Sequence, residues 1–481
     1  GERGGVGELH AWGGTEGELN SGVQTEGVVE SQRVCYLTSS AFNTSEPSCI
    51  PGSVSDGLSD FSSACSPPPF PGFSPGRPWL LYISPPIPKG HLQLLEQIQS
   101  AGELGCFALT EKFAGVNSGL VVETTCTWDP VHQEFELHSP YEGAYKNWIS
   151  QGCTADWAVV VADLVVAGTH HGPHAFVMRL RGPSDELAPG VAATDMGVKT
   201  IGNDLDNAAL SFDRVKLPRS ALLNRFCEVE PSGAGRYVQR VPGVANIEMI
   251  GQRLYTGRLV IADSAVTFAK SLFESTREYS EHKKCWAPNG STLLAEIPQL
   301  KALYAEADSS LSALQAFLLE IQGRMAVILS EGKAPPQTIV DAIAAGKVRC
   351  IEKSIELCHR LKQEVGSFAL MAGTGFEKTD YLQCCKFAEG DSRILMQKLA
   401  RDRMRAFKNA PKNGAAGELR LCTDLASAMK AGGAAAWDSN WEKVYALAEM
   451  VIDRTVSEYL PGGRHSAEAS AVTMQAVSSK L

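Results

Sequence analysis

One glutamate stands out for the chemistry its setting allows. Glu389 lies in the stretch Phe387-Ala388-Glu389-Gly390-Asp391-Ser392-Arg393, with an amphipathic segment (Ile394, Leu395, Leu399) directly after it. Glycine lets a backbone turn tightly and approach a ligand closely. A carboxylate on a loop backed by a rigid helix is well placed to take a proton. The competing reading is an acidic residue favoured by the positive end of a helix dipole, and the segment alone leaves both open. His170, His171 and His174 suggest a metal site. They lie between two predicted strands beside Gly172-Pro173, with no acidic or cysteine ligand near in sequence, so a polar hairpin loop is expected there and no metal. The 13 cysteines are scattered without a C-x-x-C pair, which fits a reducing compartment and small buried side chains.

Composition narrows the classes. The chain has 481 residues, 44% hydrophobic and 20% charged, enough for two or three structural units. A net charge of −10 without a basic stripe argues against tracking nucleic-acid phosphates. No apolar run long enough to span a bilayer and no secretory signal are expected. The chain ends Ser479-Lys480-Leu481, a peroxisomal address read by an import receptor.

The elements that must position Glu389 show in the periodicity. Residues 1–88 are rich in Gly, Ser, Pro and Thr and show no sustained period, so an irregular or disordered region is expected. A short helix is predicted over His91–Ile98, ending near Gly102. Val121–Thr127 and Glu134–His138 flank the turn pair Asp129-Pro130 and predict a hairpin. Ala158–Val161, Ala175–Met178 and Ala208–Phe212 add short strands, and residues 105–218 read as a small antiparallel β unit. From about 245 the period turns helical. Leu300, Leu303, Ala307, Leu311, Leu314, Leu318, Ile321, Met325 and Leu329 form one stripe, and Ile351, Ile355, Cys358, Leu361 and Val365 another. With helices over 247–282 and after Ser392, this predicts a four-helix bundle. The fold class is therefore α+β: a small antiparallel β-barrel and a C-terminal four-helix bundle behind an irregular N-terminal region. The expected units are 1–88, 89–222, 223–409 and a helical tail at 410–481, with a helix over Trp441–Tyr459.

This order of elements, with a Glu-Gly loop before the bundle's last helix, resembles the acyl-CoA dehydrogenase and acyl-CoA oxidase family over residues 89–407. Gly105–Glu111 and Asn147–Gly152 are similar to its two flavin-contacting strands. Gly197-Val198-Lys199 and Phe212–Pro218 are similar to the end of its β domain, and Gly257-Arg258 to the opening of its first bundle helix. Tyr279–Trp286 and Ala372–Phe376 look like segments with which a neighbouring subunit holds the ADP half of the cofactor. The family's N-terminal helical domain has no counterpart in residues 1–87. Val116 stands where a serine often contacts CoA, and Ala369 where a glutamine often meets the neighbour's cofactor.

The resemblance implies an α,β-dehydrogenation with FAD as cofactor and Glu389 as the base. It implies that Thr110 and Ser150 hydrogen-bond the flavin ring, that Trp148 lies against it, and that Gly152, Lys283, Trp286, Gly373, Thr374 and Asp391 also contact the cofactor. Arg258 and Gly390 fall at substrate-binding positions. With the peroxisomal address it implies an acyl-CoA oxidase that gives trans-2-enoyl-CoA and hydrogen peroxide in fatty-acid β-oxidation, as a homodimer or higher homo-oligomer. Two alternatives stay open: an acyl-CoA dehydrogenase that hands electrons to an electron-transfer flavoprotein, and an inactive relative serving as an interaction or scaffold subunit.

Overall fold

The structure is a computed structural model. It describes residues 88–115, 118–241, 246–288, 290–330, 334–460 and 462. The predicted irregular region 1–87, Val116 and the Ser479-Lys480-Leu481 terminus lie outside the described residues.

The fold is mixed α+β, with one hydrophobic core among strands and a second among helices. Helix α1 (Lys89–Ala101) leads in and stops at Gly102, whose left-handed φ of 66° brings its own N–H onto the Gln99 carbonyl, a common way to end a helix. His91 Nε2 sits 2.9 Å from the Ser220 carbonyl and ties α1 to the strands.

The strands are β1 (Gly105–Ala108), β2 (Thr125–Asp129), β3 (Glu134–His138), β4 (Lys146–Ser150), β5 (Trp157–Val166), β6 (Thr169–Arg179), β7 (Val191–Asp195), β8 (Asn207–Phe212) and β9 (Val215–Pro218). The β2–β3 hairpin forms as expected, although its first strand starts at Thr125 and not at Val121. The all-antiparallel expectation is corrected. β1 and β2 both pair with β5 in parallel, β1 along its first half and β2 along its second, while β6 pairs antiparallel with β5. Period-two patterning reports which face is buried and carries no direction of pairing, and the long run from β2 back to β5 allows the parallel match. β4, β8 and β7 form a separate three-stranded sheet.

The histidine segment is also corrected. His170, His171 and His174 lie within β6, not in a loop, because the chain reverses in two residues at Ala167 (φ 50°) and Gly168 (φ 75°). A two-residue turn with both φ values positive matches the twist of the strands it joins. Asp163, opposite on β5, is the acidic neighbour that sequence distance hid; it pairs with His170.

After β10 (Cys227–Glu230) and β11 (Arg236–Gln239) come the long helices α2 (Asn246–His282), α3 (Pro298–Ser330) and α4 (Gln337–Glu364), with the hairpin β12 (Lys284–Ala287) and β13 (Gly290–Leu293) between α2 and α3. Then follow α5 (Asp380–Phe387), α6 (Ser392–Asn409), α7 (Ala416–Gly432), α8 (Ala435–Ser439) and α9 (Trp441–Tyr459). The apolar stripes at spacing three and four face inward: Leu300, Leu303, Leu311, Phe317, Ile321, Ile343, Ile351, Leu357 and Leu361 are all buried. The tail joins the same core, since Cys422, Leu425, Leu447 and Ile452 pack into it and α9 lies on α4 and α6. One further expectation changes. The stretch Pro298–Leu329 of α3 is by length and composition apolar enough to cross a membrane. Alanines and leucines filling the gaps between charges raise its mean hydropathy, and its stripe is spent on the helical core.

Candidate functional site

The loop between α5 and α6 is built around Glu389. α5 ends at Phe387, and α6 starts after Asp391, whose Oδ1 accepts the Arg393 N–H at 2.7 Å and caps the helix. The four-residue link, Ala388 to Asp391, needs a sharp turn. Glu389 takes it with φ 55° and Gly390 with φ 99°. A left-handed φ at a non-glycine residue costs on the order of 1–3 kcal/mol and persists only where the surroundings enforce it.

The enforcing groups are two buried cations. Arg258 on α2 donates from Nε to the Glu389 carbonyl at 2.9 Å. Its guanidinium would lie 3.0 Å from any Cβ at Gly390, so a side chain there would meet both the guanidinium and a positive φ. Lys347 on α4, fully buried, donates from Nζ to the Lys386 and Gly390 carbonyls at 2.8 Å each and to Ser392 Oγ at 3.3 Å. Burial lowers the Arg258 pKa, partly offset by Tyr255 and Glu389. Burial pushes Lys347 down to about 8, with Asp391 opposing the shift.

The Glu389 side chain turns toward α2. Its carboxyl packs on Gly257, where a Cβ would fall 2.4 Å from Cδ and from Oε2. Oε2 is buried and has no hydrogen-bond partner. Buried polar atoms nearly always have one, so this oxygen needs an explanation. A carboxylate oxygen that is sheltered and left unpaired can take a proton from a ligand atom placed against it.

The strand side carries the other predicted residues. Thr110 lies just past β1 and is exposed. Trp148 lies on β4 at a register irregularity between Lys146 and Ile149, with φ 58°. The bulge turns its indole outward, 57% exposed, and the Trp148 backbone N–H points at Met196 Sδ at 3.2 Å. A bulge commonly re-aims one side chain in this way. Ser150 Oγ accepts from Asn207 Nδ2 at 3.3 Å and keeps its own proton to donate. A buried pair locks the two segments together. Lys146 Nζ lies 2.8 Å from Glu111 Oε1, both side chains are sealed from water, and Glu111 also accepts the Glu123 and Thr124 N–H groups. Asn147 N–H donates to the Thr110 carbonyl at 2.8 Å. Burial lowers Lys146 to about 8 even beside Glu111. Gly152 serves packing, since a Cβ there would meet Ala208 Cβ at 2.6 Å and push β4 off β8.

The loop after Met196 bridges strands and helices. Tyr381 on α5 packs on Gly202, 3.6 Å from its Cβ position, and its hydroxyl lies 3.5 Å from Asp204 Oδ1. One continuous run therefore joins Trp148, Met196, this loop and the helix that leads into the Glu389 loop.

The remaining predicted residues sit elsewhere. Lys283 and Trp286 (81% exposed) lie at the far end of α2 and on its hairpin. Tyr279 stacks on Phe368, ring centroids 3.6 Å apart, which brings that end beside the loop holding Gly373 and Thr374. The Gly373 N–H bonds Glu377, and the Thr374 hydroxyl bonds the Met371 carbonyl. At 1.5 Å per residue, Lys283 lies about 37 Å along the helix from Arg258. The structure thus brings Glu389, Gly390, Asp391 and Arg258 together, and Lys283, Trp286, Gly373 and Thr374 together, but not the two groups. Arg258 Nε and Asp391 Oδ1 both bond the loop itself.

Sequence reasoning missed Lys347, the packing of Gly257 against Glu389 and the pairing of Glu111 with Lys146. Lys347 was findable. It falls four residues before Ile351, inside the apolar stripe of α4, where a charge has no place unless it is paired.

Searched against family profiles, the chain matches none. It is 36% identical over 217 residues to human peroxisomal acyl-coenzyme A oxidase 3, covering 44% of this chain and 30% of the relative. It is 30% identical over 340 residues to mouse peroxisomal acyl-coenzyme A oxidase 2, covering 66% and 48%. Among solved structures, a Caenorhabditis elegans acyl-CoA oxidase-2 bound with FAD, ascaroside-CoA and ATP superposes with a TM-score of 0.67 at 19% identity, over 79% of this chain and 63% of that one. By sequence the chain is similar to peroxisomal acyl-CoA oxidases, and it shares the fold of acyl-CoA oxidase structures. A tomato acyl-CoA oxidase gives a TM-score of 0.65 at 21% identity, over 77% of this chain and 64% of that one. The chain spans less than half the length of these curated relatives and less than two thirds of these solved chains.

Proposed function

We propose that this protein performs the FAD-dependent oxidation of a fatty acyl-CoA to trans-2-enoyl-CoA, with oxygen reduced to hydrogen peroxide, in peroxisomal β-oxidation. The observation that carries the reading is the Glu389 carboxyl, held in a strained loop with one buried oxygen left without a partner.

The residues present suit a flavin. Trp148 offers an exposed aromatic face, Thr110 an exposed hydroxyl and Ser150 a proton to donate, all on two segments locked by the Glu111–Lys146 pair. Bound FAD would take up the substrate's β-hydride and deliver the electron pair to oxygen. The chain's own part is proton transfer and placement. Glu389 Oε2 takes the proton from the carbon next to the thioester carbonyl, and the electron pair of that C–H bond becomes the new double bond as the β-hydrogen leaves with its own pair. The loop carbonyls are held by Arg258 and Lys347, so the carboxylate stays aimed while substrate binds.

The wide separation of Lys283, Trp286, Gly373 and Thr374 from Glu389 favours a homodimer or higher homo-oligomer, in which one chain's far end meets the cofactor of another. The domain plan we favour is a small curled β-barrel (within 89–222) and a four-helix bundle of α2, α3, α4 and α6 (within 223–409), extended by α7–α9. The relatives' names and the terminal Ser479-Lys480-Leu481 support import into the peroxisome by its receptor. Purified protein should be yellow and should release hydrogen peroxide in air when given fatty acyl-CoA. Turnover only with an artificial electron acceptor, without peroxide, would point to a dehydrogenase that uses an electron-transfer flavoprotein. A colourless, inactive protein would point to the interaction-subunit alternative.

A further inference from the structure

We propose that Lys347 is a positioning residue that staples the end of α5 to the start of α6 and thereby sets the conformation of the Glu389 loop. The inference rests on the reading of Glu389 as the base, but its geometry stands by itself. An ammonium has three protons to donate. Lys347 Nζ has three acceptors, and all three lie on one short segment: the Lys386 carbonyl, the Gly390 carbonyl and Ser392 Oγ. The Lys386 carbonyl is among the last of α5, which the helix itself cannot satisfy. The Gly390 carbonyl lies just before α6, directly after the two residues with positive φ. Glu389 therefore sits inside a clamp whose jaws are closed from α4, while Arg258 from α2 holds the Glu389 carbonyl between them.

The clamp depends on charge. A neutral amine can donate only two protons and exerts a weaker pull on carbonyl oxygens. Lys347 titrates near 8, held down by burial and by Arg258 on α2, and held up by Asp391 and Glu389 in the loop and by Cys385 on α5. Because its folded pKa lies below the ordinary value of 10.5, deprotonation above pH 8 relieves a desolvation penalty and does not by itself destabilise the fold. What weakens is the loop. A merely structural lysine would not separate loop order from global stability in this way.

The test uses the full chain as purified. Hydrogen exchange is followed over residues 386–393, with the core strand β5 and helix α3 as internal controls, in wild type, Lys347→Gln and Lys347→Met. The wild type is also followed from pH 7 to 9.5 after correction for intrinsic exchange. The expected result is exchange in the loop about tenfold faster in Lys347→Met, intermediate in Lys347→Gln, and rising in the wild type above pH 8, with the controls unmoved. Anaerobic flavin reduction by acyl-CoA should slow about 100-fold in Lys347→Met with flavin content retained. Unchanged loop exchange, or a rise shared by the controls, would overturn the proposal. If Lys347→Met does not fold, the wild-type pH series decides alone. If wild type shows no reduction by acyl-CoA, the oxidase reading fails, and the exchange data still decide the clamp.

Discussion

The two halves of the candidate site are built in opposite ways. On the strand side, Trp148 and Thr110 are exposed, carried on segments whose rigidity comes from a sealed ion pair one or two residues away. On the helix side, Glu389 itself takes the strained turn, and two buried cations grip the backbone on either side of it. The difference suits the roles proposed for each half. A flat ring needs an open face that does not shift, so support sits behind the face. A base needs a fixed aim in a dry place, so support sits on the loop and the carboxyl is left unpaired. In both halves the residue proposed to meet the ligand, Trp148 or Glu389, is a non-glycine with positive φ.

Substitutions can break this contrast, and the expected effects descend in order. Glu389→Gln removes the proton acceptor without changing shape. Flavin should stay bound while anaerobic flavin reduction falls by about 10²–10⁴-fold, read by stopped-flow bleaching. Lys146→Met leaves the Glu111 carboxylate buried without its partner. It should cost about 3–5 kcal/mol in chemical denaturation, with only part of that regained when Glu111→Leu is added, because the Glu123 and Thr124 N–H groups then lose their acceptor. Gly257→Ala puts a methyl group where the Glu389 carboxyl packs. It should slow flavin reduction by about 100-fold with little loss of flavin, since the clash moves the base and not the strand face. Trp148→Ala should do the reverse. Flavin affinity should drop about tenfold, from a lost aromatic contact of about 1 kcal/mol or slightly more, read by titration of the apoprotein with FAD. Equal effects of Gly257→Ala and Trp148→Ala on both readouts would erase the distinction between the halves.

Much of the helical half was legible in the sequence. The stripe from Leu300 to Leu329 and the one from Ile351 to Leu361 report burial at the helical period, and burial is what those residues do. Trp441–Tyr459 was read to the residue because a Gly/Ala-rich break precedes it and Pro461 follows it. The direction of strand pairing was not legible, since alternation in β5 looks the same beside a parallel or an antiparallel neighbour. His170 to His174 were misplaced because Ala167 is not a residue that announces a left-handed turn. Glu389 could be singled out from its glycine and the helix behind it. Its pairing with Arg258 and Lys347 could not, because they lie 131 and 42 residues away in sequence and meet the loop only when α2 and α4 pack, even though the stripe of α4 marks Lys347 as a charge in need of a partner.

The most direct test of the central claim is anaerobic mixing of flavin-loaded protein with a fatty acyl-CoA, in wild type and in Glu389→Gln. The account predicts rapid bleaching of the yellow colour in wild type and a Glu389→Gln protein that binds the substrate yet stays yellow. Bleaching of Glu389→Gln at the wild-type rate would contradict it.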